Sequence, residues 1–175
     1  MQMTSDDIRS LIRDVRDFPT PGIVFKDLTP VMRDARAFSS SVDRIAESFS
    51  GQAVTAVASM ESRGFIFGGA VACRLGCGFI PIRKRGKLPR EKVSVEYQLE
   101  YGTDVLEMHA DAVGPGDRVL IVDDVLATGG TAAAVVRLLR DCGATVVGLG
   151  FLVELEFLRP REKLPELLVR SVVRY

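Results

Sequence analysis

Four branched apolar residues, Val119, Leu120, Ile121 and Val122, run unbroken into a pair of acids, Asp123 and Asp124. A run without polar alternation suits a strand covered on both faces of a parallel sheet better than a strand with one wet face. After Val125 and Leu126 comes a small turn, Ala127-Thr128-Gly129-Gly130-Thr131. Ala132 to Ala134, Val135, Leu138 and Leu139 then set a helical pattern that Gly143 can stop. A strand that feeds such a turn and then a helix gathers unpaired backbone N–H groups and the positive end of a helix dipole at one point, which suits a phosphate. Thr128 and Thr131 add hydroxyl donors. A P-loop would carry Lys where Gly130 stands, and no G-x-G-x-x-G follows the strand, so neither a nucleoside triphosphate nor a dinucleotide is indicated. Adjacent carboxylates beside a phosphate cradle are natural acceptors for the vicinal hydroxyls of a sugar phosphate.

At 175 residues and 47% hydrophobic, the chain suits one domain spanning residues 1–175. Its 23 basic and 23 acidic residues cancel, so nothing global points to nucleic acid or a membrane, and any anion site must be local. Cys73, Cys77 and Cys142 are an odd number, and with one histidine they cannot complete a usual zinc site, so they read as reduced core or helix residues. The amino terminus lacks the basic and apolar order of a signal peptide, and no apolar run approaches spanning length. A soluble cytoplasmic protein is the expectation.

Ile8, Leu11, Ile12 and Val15 predict a first helix from about Ser5 to Arg16, with Thr4 and Asp7 as a capping pair. Phe18 to Asp27, with Pro19, Pro21 and Gly22, reads as an irregular link ending in a short extended piece, closed by Pro30. Phe38, Val42, Ile45 and Phe49 predict a second helix ending near Gly51. Two more apolar strands, Val54–Ala58 and Phe79–Ile82, run into polar turns. The first turn holds Glu61, Ser62 and Arg63 and opens a small-residue helix. The second, Arg83-Lys84-Arg85-Gly86-Lys87, is the densest basic cluster in a chain of zero net charge and favours an anion. Leu88 to Gly102 reads as an extended loop with room for a strand pair, Val105 to His109 as a short strand in which His109 is structural, and Thr145–Val153 and Leu167–Val173 as the last strands. Alternating strands and helices imply an α/β domain with a mainly parallel sheet and all three turns at the strands' carboxyl ends.

The thirteen residues Val119–Thr131 resemble the phosphoribosyl-pyrophosphate signature of the type I phosphoribosyltransferases. Over nearly its whole length the chain further resembles the adenine phosphoribosyltransferase family. Phe18-Pro19-Thr20-Pro21-Gly22, Ser62-Arg63-Gly64-Phe65, Arg83 through Pro89, Leu99-Glu100-Tyr101-Gly102 and Val153-Glu154-Leu155 match it in order. The resemblance implies the type I phosphoribosyltransferase fold, a central mainly parallel sheet flanked by helices, with a small hood drawn partly from residues 1–33 covering the base site. It implies a homodimer that joins adenine to phosphoribosyl pyrophosphate, giving AMP and pyrophosphate, with Mg²⁺ held mainly by the substrate and by no direct protein ligand.

By the same resemblance, the backbone of Val24 would read the edge of adenine, while Phe25 and Leu155 flank its ring. Glu61 and Ser62 fall where family members place a non-proline cis peptide beside pyrophosphate, and Arg63 would reach both base and pyrophosphate. Arg83, Lys84 and Lys87 would neutralise pyrophosphate. Asp123 and Asp124 would hold the ribose, with Ala127, Thr128, Gly129, Gly130 and Thr131 around its phosphate. Glu100 is the candidate for managing the adenine proton, with Tyr101 beside it on a closing loop. Glu61 stands where other members often carry Asp. A transferase for hypoxanthine, guanine or orotate is disfavoured by the hood segment and Glu100. A non-catalytic sensor of phosphoribosyl pyrophosphate would be expected to add a DNA-binding domain, for which Met1–Asp17 has room for one helix only.

Overall fold

In the computed structural model, which describes residues 2–98 and 102–175, helix α1 (Ser5–Leu11) opens on a reciprocal capping box between Thr4 and Asp7. The apolar repeat predicts that this helix continues to Arg16, but it stops at Leu11. Ile12 turns extended, and Arg13–Arg16 becomes β1, paired antiparallel with β2 (Val24–Asp27) from Arg13 opposite Asp27 to Arg16 opposite Val24. Those four residues gain a backbone partner, and Val15 lies across from Phe25 in a half-exposed ribbon. The stretch read as an irregular link ending in a short extended piece is thus the turn of a hairpin followed by its second strand, β2.

Pro30 does not close that link. It sits in the first turn of α2 (Thr29–Arg33), where its missing N–H costs no helical bond. Asp34 then caps α3 (Ala35–Glu47), accepting from the N–H groups of Arg36 at 3.0 Å and Ala37 at 2.8 Å. The chain continues as β3 (Ala56–Met60), α4 (Gly64–Leu75), β4 (Gly78–Lys84), β5 (Lys92–Gln98), β6 (Thr103–His109), β7 (Arg118–Leu126), α5 (Gly130–Asp141), β8 (Thr145–Glu154), two short 3₁₀ turns (Glu156–Leu158 and Pro160–Lys163) and β9 (Val169–Arg174).

Seven strands form one sheet in the order β5-β6-β4-β3-β7-β8-β9. All neighbours from β4 to β9 are parallel, and β6 and β5 add antiparallel at one edge. The region read as an extended loop is mostly the regular strand β5, which pairs with β6 from Lys92 opposite His109 to Gln98 opposite Thr103. Its alternation lies in Val93, Val95 and Tyr97, all packed toward the core, and the charged residues between them hide it. His109 lies on this hairpin, its Nδ1 3.4 Å from the Glu91 carbonyl oxygen.

Val119 to Val122 are fully buried, as their unbroken apolar run requires of the strand at the middle of two layers. On one face Val135, Leu138 and Leu139 of α5 pack with Val119, Ile121, Ile80 and Ile82. On the other, Ile45 and Phe49 join Phe67 and Val71 of α4 against Val57, Leu120, Val122 and Leu152. Because β3, β4 and β7 are adjacent and parallel, the three polar turns that follow them emerge along one edge. The three cysteines are free thiols. Among the described residues no helix is long and apolar enough to cross a membrane.

Removing the side-chain cap of α3 tests this local account. Asp34→Ala is expected to lower the unfolding free energy by about 1 kcal/mol in urea titration with an unchanged slope, while Asp34→Ser keeps most of it.

Candidate active site

Strand β7 carries two acids past the end of its apolar core, and their surroundings differ. Asp124 is buried at 6% exposure, with Oδ2 2.6 Å from Arg63 Nε. The contact is an ion pair without hydrogen-bond alignment, so Oδ2 is a buried oxygen with no hydrogen-bond donor among the described residues. Asp123 bends back on the chain, its Oδ1 accepting from the Asp124 N–H at 2.9 Å. Burial pushes the Asp123 carboxyl well above the ordinary range, and repulsion from Asp124 adds to it. Gly64, first residue of α4, is what lets that carboxylate fit, because a Cβ there would collide with Asp123 Oδ1.

Arg63 ties this floor to the hood. Its guanidinium carbon lies 4.8 Å from the centre of the Phe25 ring, and Phe18 meets the same ring edge-on at 5.2 Å. Val24, beside Phe25 on β2, is 46% exposed, and because β2 pairs only with β1 among the described residues, its other backbone edge is open to a partner. Leu155 follows β8, half-buried against the second core layer, and its N–H donates to the Leu126 carbonyl at 2.9 Å.

The Glu61–Ser62 peptide is cis. Glu61 accepts from Arg83 at 2.8 and 3.1 Å and from the Lys84 N–H at 2.6 Å. Burial works against the charged form of Glu61, but these donors outweigh it and hold the carboxyl below its ordinary range. Arg83 is thereby committed to an internal fork and to the Lys87 carbonyl at 3.3 Å, while the side chains of Lys84 and Lys87 remain exposed. Glu107, buried on β6, accepts the Gly86 N–H at 2.9 Å and fixes the turn between those lysines.

Asp123, Ala127, Thr128, Gly129 and Thr131 line a cavity of about 110 Å³ at the start of α5, and Gly130 is the first residue of that helix. Gly129 must be glycine twice over. Its φ is +78°, and a Cβ would come within 2.5 Å of the Pro160 carbonyl oxygen. Glu100 and Tyr101, the residues assigned to proton handling and the loop, lie outside the described residues.

A family model for the phosphoribosyl transferase domain matches residues 32–167. The adenine phosphoribosyltransferase of Thermobifida fusca is 54% identical over 172 residues, covering 96% of this chain and 98% of that protein. This chain belongs to the adenine phosphoribosyltransferase family. The crystal structure of the family member from Thermoanaerobacter pseudethanolicus superposes with a TM-score of 0.96 at 49% identity, over 98% of this chain and all of that one. The member from Saccharomyces cerevisiae, solved with an imino-altritol bisphosphate and adenine, superposes at 0.90 with 36% identity over 96% of this chain and 97% of its own. The type I phosphoribosyltransferase fold anticipated from the sequence is the fold found.

Sequence reasoning missed two features of this family member's site: the Gly64 approach to Asp123 and the Pro160 carbonyl against Gly129. Each joins residues distant in the chain, and only the position of Gly64 directly after Arg63 hinted at one of them.

Two stability measurements follow. Gly64→Ala is expected to cost about 1–3 kcal/mol as an overpacked contact, most of it recovered when Asp123→Ala is added. For Asp123 the native carboxyl titrates above its unfolded value, so the native state holds more protons between the two and stability falls as pH rises through that interval. Asp123→Asn should therefore raise the melting temperature at neutral pH, and the gain should vanish below the unfolded carboxylate range.

Proposed function

We infer that this chain transfers the 5-phosphoribosyl group from phosphoribosyl pyrophosphate to adenine, giving AMP and pyrophosphate in purine salvage. The observation that carries the reading is the donor-less Asp124 Oδ2, buried one turn away from a glycine-rich helix start and paired with an arginine that reaches the hood. A buried carboxylate oxygen without a donor is costly, and a sugar hydroxyl offers the missing proton. The phosphate of the same sugar would then lie in the Ala127–Thr131 turn, against the N–H groups that open α5.

Breaking the anomeric bond leaves positive charge on the ribose and negative charge on pyrophosphate, so fixed charges aimed at both supply the main stabilisation. Asp123 and Asp124 face the ribose. The Glu61–Ser62 peptide, Arg63 and the exposed Lys84 and Lys87 serve the leaving group, with Arg83 holding Glu61 and the turn in place. Adenine lies between Phe25 and Leu155, its edge read by the Val24 backbone, and Glu100 takes the proton that its attacking nitrogen gives up. Tyr101 would act beside Glu100 in keeping water from the site.

The donor set fits magnesium brought in with the substrate. Carboxylate oxygens at Asp123 and Asp124, one without a donor, suit the hydroxyls and waters around a hard cation that keeps most of its own shell. When bound, the ion would draw charge from the departing pyrophosphate. The domain spans residues 1–175, with 1–33 contributing the hood. Two copies pair through the face where Ile66 and Phe79 stand exposed and Phe65 meets Phe79 edge-on. Free thiols and cancelled net charge agree with a cytoplasmic protein that engages neither nucleic acid nor membrane.

The test is AMP formation from adenine and phosphoribosyl pyrophosphate with magnesium, beside hypoxanthine and guanine. Adenine alone should turn over, and Glu100→Ala should lose about 10² to 10⁴ in kcat while still binding phosphoribosyl pyrophosphate. Turnover of another base would reassign the specificity, and binding without any turnover would leave a sensor of phosphoribosyl pyrophosphate.

A further inference from the structure

Lys26 follows Phe25 on the hood strand, so the two side chains leave opposite faces of the ribbon. On its own side Lys26 is tightly held. Its ammonium lies 3.7 Å from the centre of the Tyr175 ring and 2.6 Å from Asp14 Oδ1, with the side chain only 10% exposed. Arg9 approaches the same ring at 5.2 Å, and its guanidinium donates to the Arg174 carbonyl at 2.5 Å. A cation over a tyrosine face is attracted to the ring, and more so as it is covered, as the Lys26 side chain is.

The backbone of Tyr175 is fixed just as firmly on the Leu155 segment. Its N–H donates to the Glu154 carbonyl at 2.9 Å, and its carbonyl accepts from the Glu156 N–H at 2.8 Å, one bond on each side of Leu155. Glu154, 1% exposed, anchors that segment by accepting from Arg161 at 2.7 and 2.8 Å and from the Ser171 hydroxyl at 2.7 Å. One residue therefore grips both walls: the Phe25 strand through its ring and the Leu155 segment through its backbone.

We propose that Tyr175 is a positioning residue that fixes the spacing between Phe25 and Leu155, so that the slot has its width before adenine enters. This rests on the reading that those two side chains flank the base. Tyr175 touches no substrate. Its effect is to spare adenine the work of ordering a loose hood, and such preorganisation appears as affinity for the ligand concerned. Phosphoribosyl pyrophosphate depends instead on β7, α5 and the two basic and polar turns, none of which Tyr175 holds.

The experiment is steady-state kinetics on the full chain, with each substrate varied in turn. Tyr175→Leu should raise the KM for adenine roughly five-fold, about 1 kcal/mol at 1.4 kcal/mol per factor of ten, while kcat and the KM for phosphoribosyl pyrophosphate stay within about two-fold. Tyr175→Phe, which keeps the ring, should restore the adenine KM. Lys26→Met leaves the Tyr175 backbone bonds untouched, so it carries the test even if Tyr175→Leu fails to fold. It should give the same shift and add nothing in the Tyr175→Leu background. An unchanged adenine KM in Lys26→Met, or a parallel rise in both KM values, overturns the proposal. A parent chain that turns over no adenine removes the functional reading, and the spacing role with it, whatever the variants do.

Discussion

Two carboxylates at the end of a strand buried on both faces stay charged only if something offsets their removal from water. At Asp124 the protein supplies half of what is needed: the charge of Arg63 at 2.6 Å, but no aligned donor for Oδ2. At Asp123 it supplies a backbone N–H from the next residue and little else, so that carboxyl is pushed toward its neutral form. The proposed ligand, with its hydroxyls and accompanying cation, would supply what this edge lacks. Much of the surrounding structure serves to keep it in that condition. Gly64 leaves room for the Asp123 side chain, α4 delivers Arg63 to Asp124, and Phe25 lies against the far side of the guanidinium.

That dependence explains which parts of the molecule were legible in the chain. The central strand, its acids, the turn and α5 were all readable because each rests on local pattern: an apolar run, a pair of acids, small residues, a helical repeat. The small-residue helix after Arg63 and its end at Gly76 were readable for the same reason, since Gly76 adopts φ +69° where the helix stops. The first helix was read too long because Val15 completes an apolar repeat, yet its partner is Phe25 across a hairpin. No window of sequence around Val15 contains that partner. Strand β5 was obscured differently, by charged residues on its open face.

The site was legible as a collection of turns and less so as a set of contacts. Sequence and family resemblance placed Glu61, Arg63, Arg83, Asp123 and Asp124 at one edge, but could not say how they divide among themselves. Their pairings join residues from 22 positions apart, as for Arg83 and Glu61, to the longer span between Arg63 and Asp124. Such pairings depend on strand order, which appears only once β3 lies between β4 and β7.

The division of the cations follows from their chemistry. Arginine carries a planar fork that holds geometry, and three buried or half-buried carboxylates at this end of the molecule take one, Arg83 on Glu61, Arg63 on Asp124 and Arg161 on Glu154, while Asp104 takes Lys84 at 3.4 Å. Lysine is a compact, strongly hydrated charge on a flexible stem, and the lysines of the basic turn are left exposed. A leaving group that gains charge and then departs is better served by such point charges than by a fork that would hold it in place. On the proposed function, the arginines would make the frame against which substrate is oriented, and the lysines the field into which pyrophosphate is released. Exchanging Lys for Arg in that turn would confuse the two tasks, adding a rigid bidentate grip where the chemistry calls for charge alone.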